Sequence, residues 1–207
     1  MNLMNRTIAV LIVASSLAVC AAYVWAAPAQ APGPIETGAE RQTAQVRDTI
    51  VDALWVKTDE YWHAGNPAPA IDICRMVIEL DPRFVEAYSV GAWVSLSLPE
   101  PREKDALEFY QQGIARNPQS YELLHEFGFQ YYMLRKHDPQ SALPYLKRAA
   151  ELSPTAPIKH TYAHALARAG KPQQAAAEWL KILKQFPNDP VARKELVKLR
   201  ASGKAGK

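Results

Sequence analysis

Glycine is scarce in this chain, with 9 residues in 207. None of it forms a phosphate-cradling loop or a G-x-S-x-G nucleophile elbow, and no H-E-x-x-H helix is present. Carboxylates such as Glu103, Asp105 and Glu108 are scattered over a helical pattern, as on a solvated face. No catalytic residue is assigned, so the chain reads as a non-enzyme with no cofactor. Cysteine is nearly absent. Cys20 lies in an apolar run and Cys74 in a helical segment, so the two give no basis for an intramolecular disulfide, a C-x-x-C motif or a Cys/His zinc framework. Cys74 falls at a buried helical offset, where it serves as a small apolar filler. An excess of one charge is missing as well. Lys and Arg number 24 against 21 Asp and Glu, which leaves no long-range field to gather nucleic acid.

One long apolar run is present, and it is at the amino end. Arg6 precedes an uncharged stretch from Thr7 to Ala27. About 20 apolar residues suffice for a helix to cross the hydrocarbon core, whereas a secretory h-region is usually about 7–15 residues. Tyr23 and Trp25 suit a membrane interface, and Arg6 on the short side keeps the amino end inside. Residues 1–27 are therefore expected to be a signal peptide or an N-terminal transmembrane anchor. The Leu17-Ala18-Val19-Cys20 run resembles a lipobox, although the bulky Val19 departs from it. Residues 28–40, with their prolines and glycines, read as a flexible linker, 41–200 as the folded domain and 201–207 as a disordered tail.

Proline, by contrast, is plentiful, and its placement is periodic. Asp81-Pro82, Asn117-Pro118, Ser153-Pro154 and Phe186-Pro187 place prolines 36, 36 and 33 residues apart. Ala70, Ala106, Ala142 and Ala175 each precede one of these prolines by twelve residues. A small side chain lets two antiparallel helices approach, and proline ends the second of them because it lacks a donor and disfavours helix in the residue before it. The clearest unit is YELLHEFGFQYY, with Leu124, Phe127, Gly128 and Tyr131 as its buried stripe. Another runs through Tyr162, Ala163, Leu166 and Gly170. In spacing and residue type, residues 48–200 resemble the tetratricopeptide repeat family, whose period is about 34 residues. The resemblance implies an all-α, right-handed α-solenoid of about four helix-turn-helix repeats, with a capping helix from Asp189-Pro190 to Arg200. Lys57 occupies a normally apolar offset, so the first helix is the least secure. Repeats two and three each carry two extra residues, expected in the turns near Pro99 and Arg135.

In that family the first helices of the repeats line a concave groove. The matching offsets are Asp52, Trp55, Asp59 and Trp62 in repeat one, and Glu86, Ser89, Trp93 and Leu96 in repeat two. Repeat three supplies Glu122, His125, Phe129, Tyr132 and Met133, and repeat four His160, His164 and Arg168. The resemblance therefore implies a partner-binding groove centred on Trp55, Asp59, Trp62, Glu86, Trp93, His125, Phe129, Tyr132, His160, His164 and Arg168. Its ligand would be a protein or an extended peptide segment, because aromatic side chains dominate binding hot spots. The Lys, Asn and Arg clamp by which some members hold carboxylate-ended tails is not reproduced: Trp55, Asp59, Ser89 and Trp93 stand there instead. Two alternatives accompany the scaffold. One is an accessory factor in cytochrome or envelope-complex biogenesis. The other is a metal-binding protein using His125, His160 and His164, of which the last two share a helical face. The leader and the resemblance together imply a bacterial inner-membrane protein, single-pass with its C-terminal domain in the periplasm. After signal cleavage it would be periplasmic or secreted.

Overall fold

A computed structural model describes residues 37–201 and 203. The expected signal or anchor segment, 1–27, lies outside the described residues, as do 28–36 of the expected linker and most of the tail. Among the described residues no helix is long and apolar enough to cross a membrane.

The described chain is helical throughout, with no strand among the described residues. In order the helices are α1 (Gly38–His63), α2 (Ala68–Leu80), α3 (Val85–Ser97), α4 (Glu103–Arg116) and α5 (Tyr121–Glu126). Helix α5 continues directly into a π-helix (Phe127–Arg135), followed by α6 (Pro139–Leu152), α7 (Ala156–Arg168), α8 (Pro172–Gln185) and α9 (Pro190–Ala201). Each packs on its neighbours in sequence, so the pairs α1/α2, α3/α4, α5–π/α6 and α7/α8 stack as four helix-turn-helix units capped by α9. This is the expected all-α solenoid.

Both periodic registers do what their chemistry requires. Helices α2, α4, α6 and α8 stop two residues before Pro82, Pro118, Pro154 and Pro187. Ala70, Ala106, Ala142 and Ala175 are all 0% exposed where the paired helices cross. Prolines also open helices, at Pro139, Pro172 and Pro190, where a missing N–H costs nothing. Consecutive repeats are tied at their ends: Arg116 donates to the Ile78 carbonyl at 2.8 Å and pairs with Glu79 at 3.0 Å. Asn117 donates to the Pro82 carbonyl at 2.8 Å.

Helix α1 begins earlier than the sequence pattern predicts. Thr37 and Glu40 form a capping box, in which the Thr37 hydroxyl accepts from the Glu40 amide and the Glu40 carboxylate from the Thr37 amide. Residues 38–40, assigned to the linker by composition, are thus helical. Helix α1 buries only Val51 and Thr58, and Lys57 is exposed and paired with Glu60 at 2.5 Å.

The two extra residues of repeats two and three are absorbed differently. In repeat two they lengthen the turn: α3 is 13 residues and a five-residue link, 98–102, follows it. In repeat three the turn stays short and the helix absorbs them, with six α-helical residues followed by nine π-helical ones. The Lys136 amide accordingly bonds back five residues, to the Tyr131 carbonyl at 3.0 Å. A π-turn holds more residues than an α-turn, so side chains after Phe127 fall progressively behind an α-helical register.

Among the described residues the interior forms three apolar clusters in series. Tyr132 borders both the first and the second. Close helix approach depends on Gly91, where an added Cβ would lie 2.5–2.7 Å from ring atoms of Phe109, a side chain only 1% exposed. Alanine normally improves a helix interior by about 1 kcal/mol over glycine. Here overpacking opposes it at about 1–3 kcal/mol. Gly91→Ala should therefore lower the urea midpoint, whereas an unchanged or raised midpoint would mean that α3 and α4 have room to separate.

Candidate functional site

The first helices α1, α3 and α5–π present adjoining edges, and on two of them the exposed and half-buried positions form a ladder. Along α3 these are Glu86, Ser89, Trp93 and Leu96, spaced three or four apart, as one helical face requires. Facing them are Glu122, Glu126, Gln130 and Leu134. The Ser89 hydroxyl lies beside the Glu126 carboxyl. Further along, Trp93, Leu96, Ser97, Gln130, Leu134 and Arg135 line an open cleft of about 360 Å³, with Tyr110 at its base. Trp93 remains 46% exposed and Leu134 45%. The Trp62 ring of α1 packs on Trp93 with centroids 4.5 Å apart and holds the indole in place. Arg135, at the far end, is neutralised by Glu103 at 3.2 Å.

Of the residues expected in the groove, Trp62, Glu86 and Trp93 meet on this face. Asp59 is exposed, 3.3 Å from His63 on its own helix, and Arg168 is exposed at the end of α7. Trp55 is half-buried, edge-on to Phe84 at 4.9 Å and part of the first cluster's margin.

Repeat three departs from the expected groove. Tyr132 packs against Phe127 and Tyr131 and stacks on Tyr145 of α6 at 5.6 Å, so it supports the joint between clusters. Phe129 packs on the second cluster and Met133 is only 4% exposed within it. The residues brought beside Trp93 are instead Gln130 and Leu134. An α-helical period through Arg135 would put Phe129, Tyr132 and Met133 on the open face, and the π-turns displace it by about one residue. The length of the repeat was a signal for the insertion, but the same length in repeat two is taken up by a turn.

The histidines also diverge. His125 Nε2 lies 3.1 Å from the Thr161 hydroxyl, and its ring stacks on Phe129 at 5.6 Å. His160 Nε2 lies 2.9 Å from an Asp189 carboxylate oxygen, which ties α7 to the start of α9. His164 sits edge-on to the buried Trp179 at 4.9 Å. Among the described residues no three His, Cys, Asp or Glu side chains converge as a metal-binding group. Burial lowers the pKa of His125 and of His164. The Cys74 thiol is buried and pushed up to about 12, as a filler would be.

Glu126 is the titratable group of this face that stands out. Burial raises its pKa, the Ser89 hydrogen bond opposes the rise, and the carboxylates of Glu122 and Glu86 add to it. A carboxyl raised from its ordinary 4.5 contributes stability that is present below that value and lost as pH climbs through the folded-state pKa. Glu126→Gln should therefore melt above wild type at pH 7, and the advantage should shrink as the pH falls toward 4.5. A neutral-pH melt equal to or below wild type would mean that the charged form is accommodated.

Residues 156–199 match the model of the tetratricopeptide repeat family. No curated protein sequence matches the chain. Among solved structures, PilF of Pseudomonas aeruginosa is similar at 25% identity over 75% of this chain and 70% of that one, with a TM-score of 0.54. YrrB, described as a tetratricopeptide protein with an unusual peptide-binding site, is 20% identical over 81% of this chain and 86% of its own, with a TM-score of 0.53. PilW, described as a widely conserved type IV pilus biogenesis factor, is 22% identical over 75% and 71%, with a TM-score of 0.52.

Proposed function

We propose that this chain, a member of the tetratricopeptide repeat family, is a non-catalytic scaffold that holds an extended segment of a partner protein along α1, α3 and α5–π. The observation that carries the proposal is Trp93. A large indole stands 46% exposed, braced by Trp62 and flanked by exposed Leu134 on a stacked helical frame. Tryptophan held beside a cleft offers contact area at little cost in conformational freedom, which is how hot spots arise. YrrB and PilW, below 25% identity, lend the fold and not the residues of any site. The apolar run from Thr7 to Ala27 supports a location at the cell envelope, either anchored in an inner membrane with the repeats outside or released after cleavage.

The test is capture of the native partner from the membrane fraction by full-length protein, with and without Trp93→Ala. Truncation should weaken capture by about 30-fold, the equivalent of a hot spot near 2 kcal/mol. Stability should fall by only about 1 kcal/mol, the value of a lost aromatic pair. Undiminished capture with the variant folded would remove this face from the binding site.

A further inference from the structure

The cleft beside Trp93 sets the large apolar side chains of Trp93, Leu96 and Leu134 among polar ones, the face leading into it is acidic, and the pairing specifies an occupant. Glu86 and Glu122, in the first turns of α3 and α5, both lie near Glu126 at the last position of α5. Elsewhere six glutamates, Glu79, Glu103, Glu108, Glu151, Glu178 and Glu195, each lie within 4.0 Å of a cationic side chain, although the exposed Asp52, Asp72 and Glu100 do not. None of Glu86, Glu122 and Glu126 has such a partner among the described residues. Acids in a helix's first turn are favoured by the helix dipole, which accounts for Glu86 and Glu122. It does not account for Glu126, the last residue of α5, half-buried between two other carboxylates.

Resting on the scaffold reading above, we infer that the held segment carries a basic side chain and a large apolar one about three residues apart: the carboxylates of Glu86, Glu122 and Glu126 receive the cation, and the cleft of Trp93, Leu96 and Leu134 receives the apolar group. The spacing follows from geometry. Glu86 and Trp93 are seven residues apart on α3, about 10 Å at 1.5 Å per residue. A segment in the polyproline II conformation, at about 3.1 Å per residue and three residues per turn, covers that distance in about three residues and turns both side chains to the same side. The cation relieves the crowding of the three carboxylates, so the charge contributes selectivity against acidic segments as well as attraction. Chain direction is left free, since either order places both groups.

The experiment is selection of a displayed library of random dodecapeptides on the purified full chain, followed by affinity measurement on one enriched peptide. Enriched sequences should pair Lys or Arg with Leu, Ile, Met or Phe three positions away, in either order. The double variant Glu86→Gln, Glu122→Gln should weaken that peptide about fivefold at low salt and less at high salt, as expected for partly exposed charge pairs. Trp93→Ala should weaken it about 30-fold. Peptides that need Trp93 but show no basic preference, or ignore the glutamine variant, overturn this inference and leave the scaffold reading standing. If no peptide is enriched, or those enriched are indifferent to Trp93→Ala, the scaffold reading on this face fails with it.

Discussion

Phe127→Ala should lower stability by about 3–5 kcal/mol, the usual cost of emptying a buried aromatic site. The ring is 1% exposed and touches Tyr110 at 5.0 Å, Tyr131 at 5.5 Å, Tyr132 at 5.0 Å and Tyr145 at 4.6 Å. Those rings belong to α4, the π-helix and α6, so the side chain fastens repeat two to repeat three at mid-chain. In a solenoid each unit is stable through its neighbours, and a loss at a central joint weakens both directions of stacking. Chemical denaturation followed by helical circular dichroism should show the loss, and thermal midpoints should fall by roughly 10 °C. Phe127→Leu, which leaves a smaller void, should recover a large part of it. A Phe127→Ala midpoint within about 0.5 kcal/mol of wild type would mean that the stripe is not core.

Trp179→Ala should cost a similar amount, about 3–5 kcal/mol by the same cavity argument, but with a different distribution along the chain. Trp179 is 1% exposed and is packed by His160 at 5.4 Å and His164 at 4.9 Å within the third cluster, which includes Ala163, Ile182, Ala192 and Leu196. That cluster holds α7, α8 and α9 together, and α9 has its main packing on α8 alone. Damage near a terminus releases the end of a solenoid without releasing its middle. Hydrogen exchange should accordingly accelerate in α8 and α9 while α2, α3 and α4 stay protected. Uniform acceleration across all repeats would show that the chain unfolds as one cooperative block.

How legible the fold was depended on how local its determinants are. The prolines at 82, 118, 154 and 187 and the alanines twelve residues before them act through backbone chemistry and side-chain size, which do not depend on what lies across the fold. Every one of those alanines is fully buried and every one of those prolines follows a helix end. The Leu124, Phe127, Gly128 and Tyr131 stripe is likewise buried as expected. The site was less legible because only a count of helical turns places its residues on one face. On α3, which is regular, counting puts Glu86 and Trp93 on the open face. Beyond Phe127 counting fails, exchanging Tyr132 and Met133 for Gln130 and Leu134.

By itself, then, the sequence determined the number of helical pairs, where the second helix of each pair stops and which faces are buried, because proline, glycine and small or aromatic side chains impose those locally. Only the tertiary structure decided where two extra residues go, since a longer turn and a π-helix are both compatible with the chain and packing of Gly128 and Tyr132 against α6 selects between them. It also decided what the histidines do. Thr161, Trp179 and Asp189 reach His125, His164 and His160 from 15 to 36 residues away, and no pattern near a histidine announces a partner that the stacking of repeats supplies.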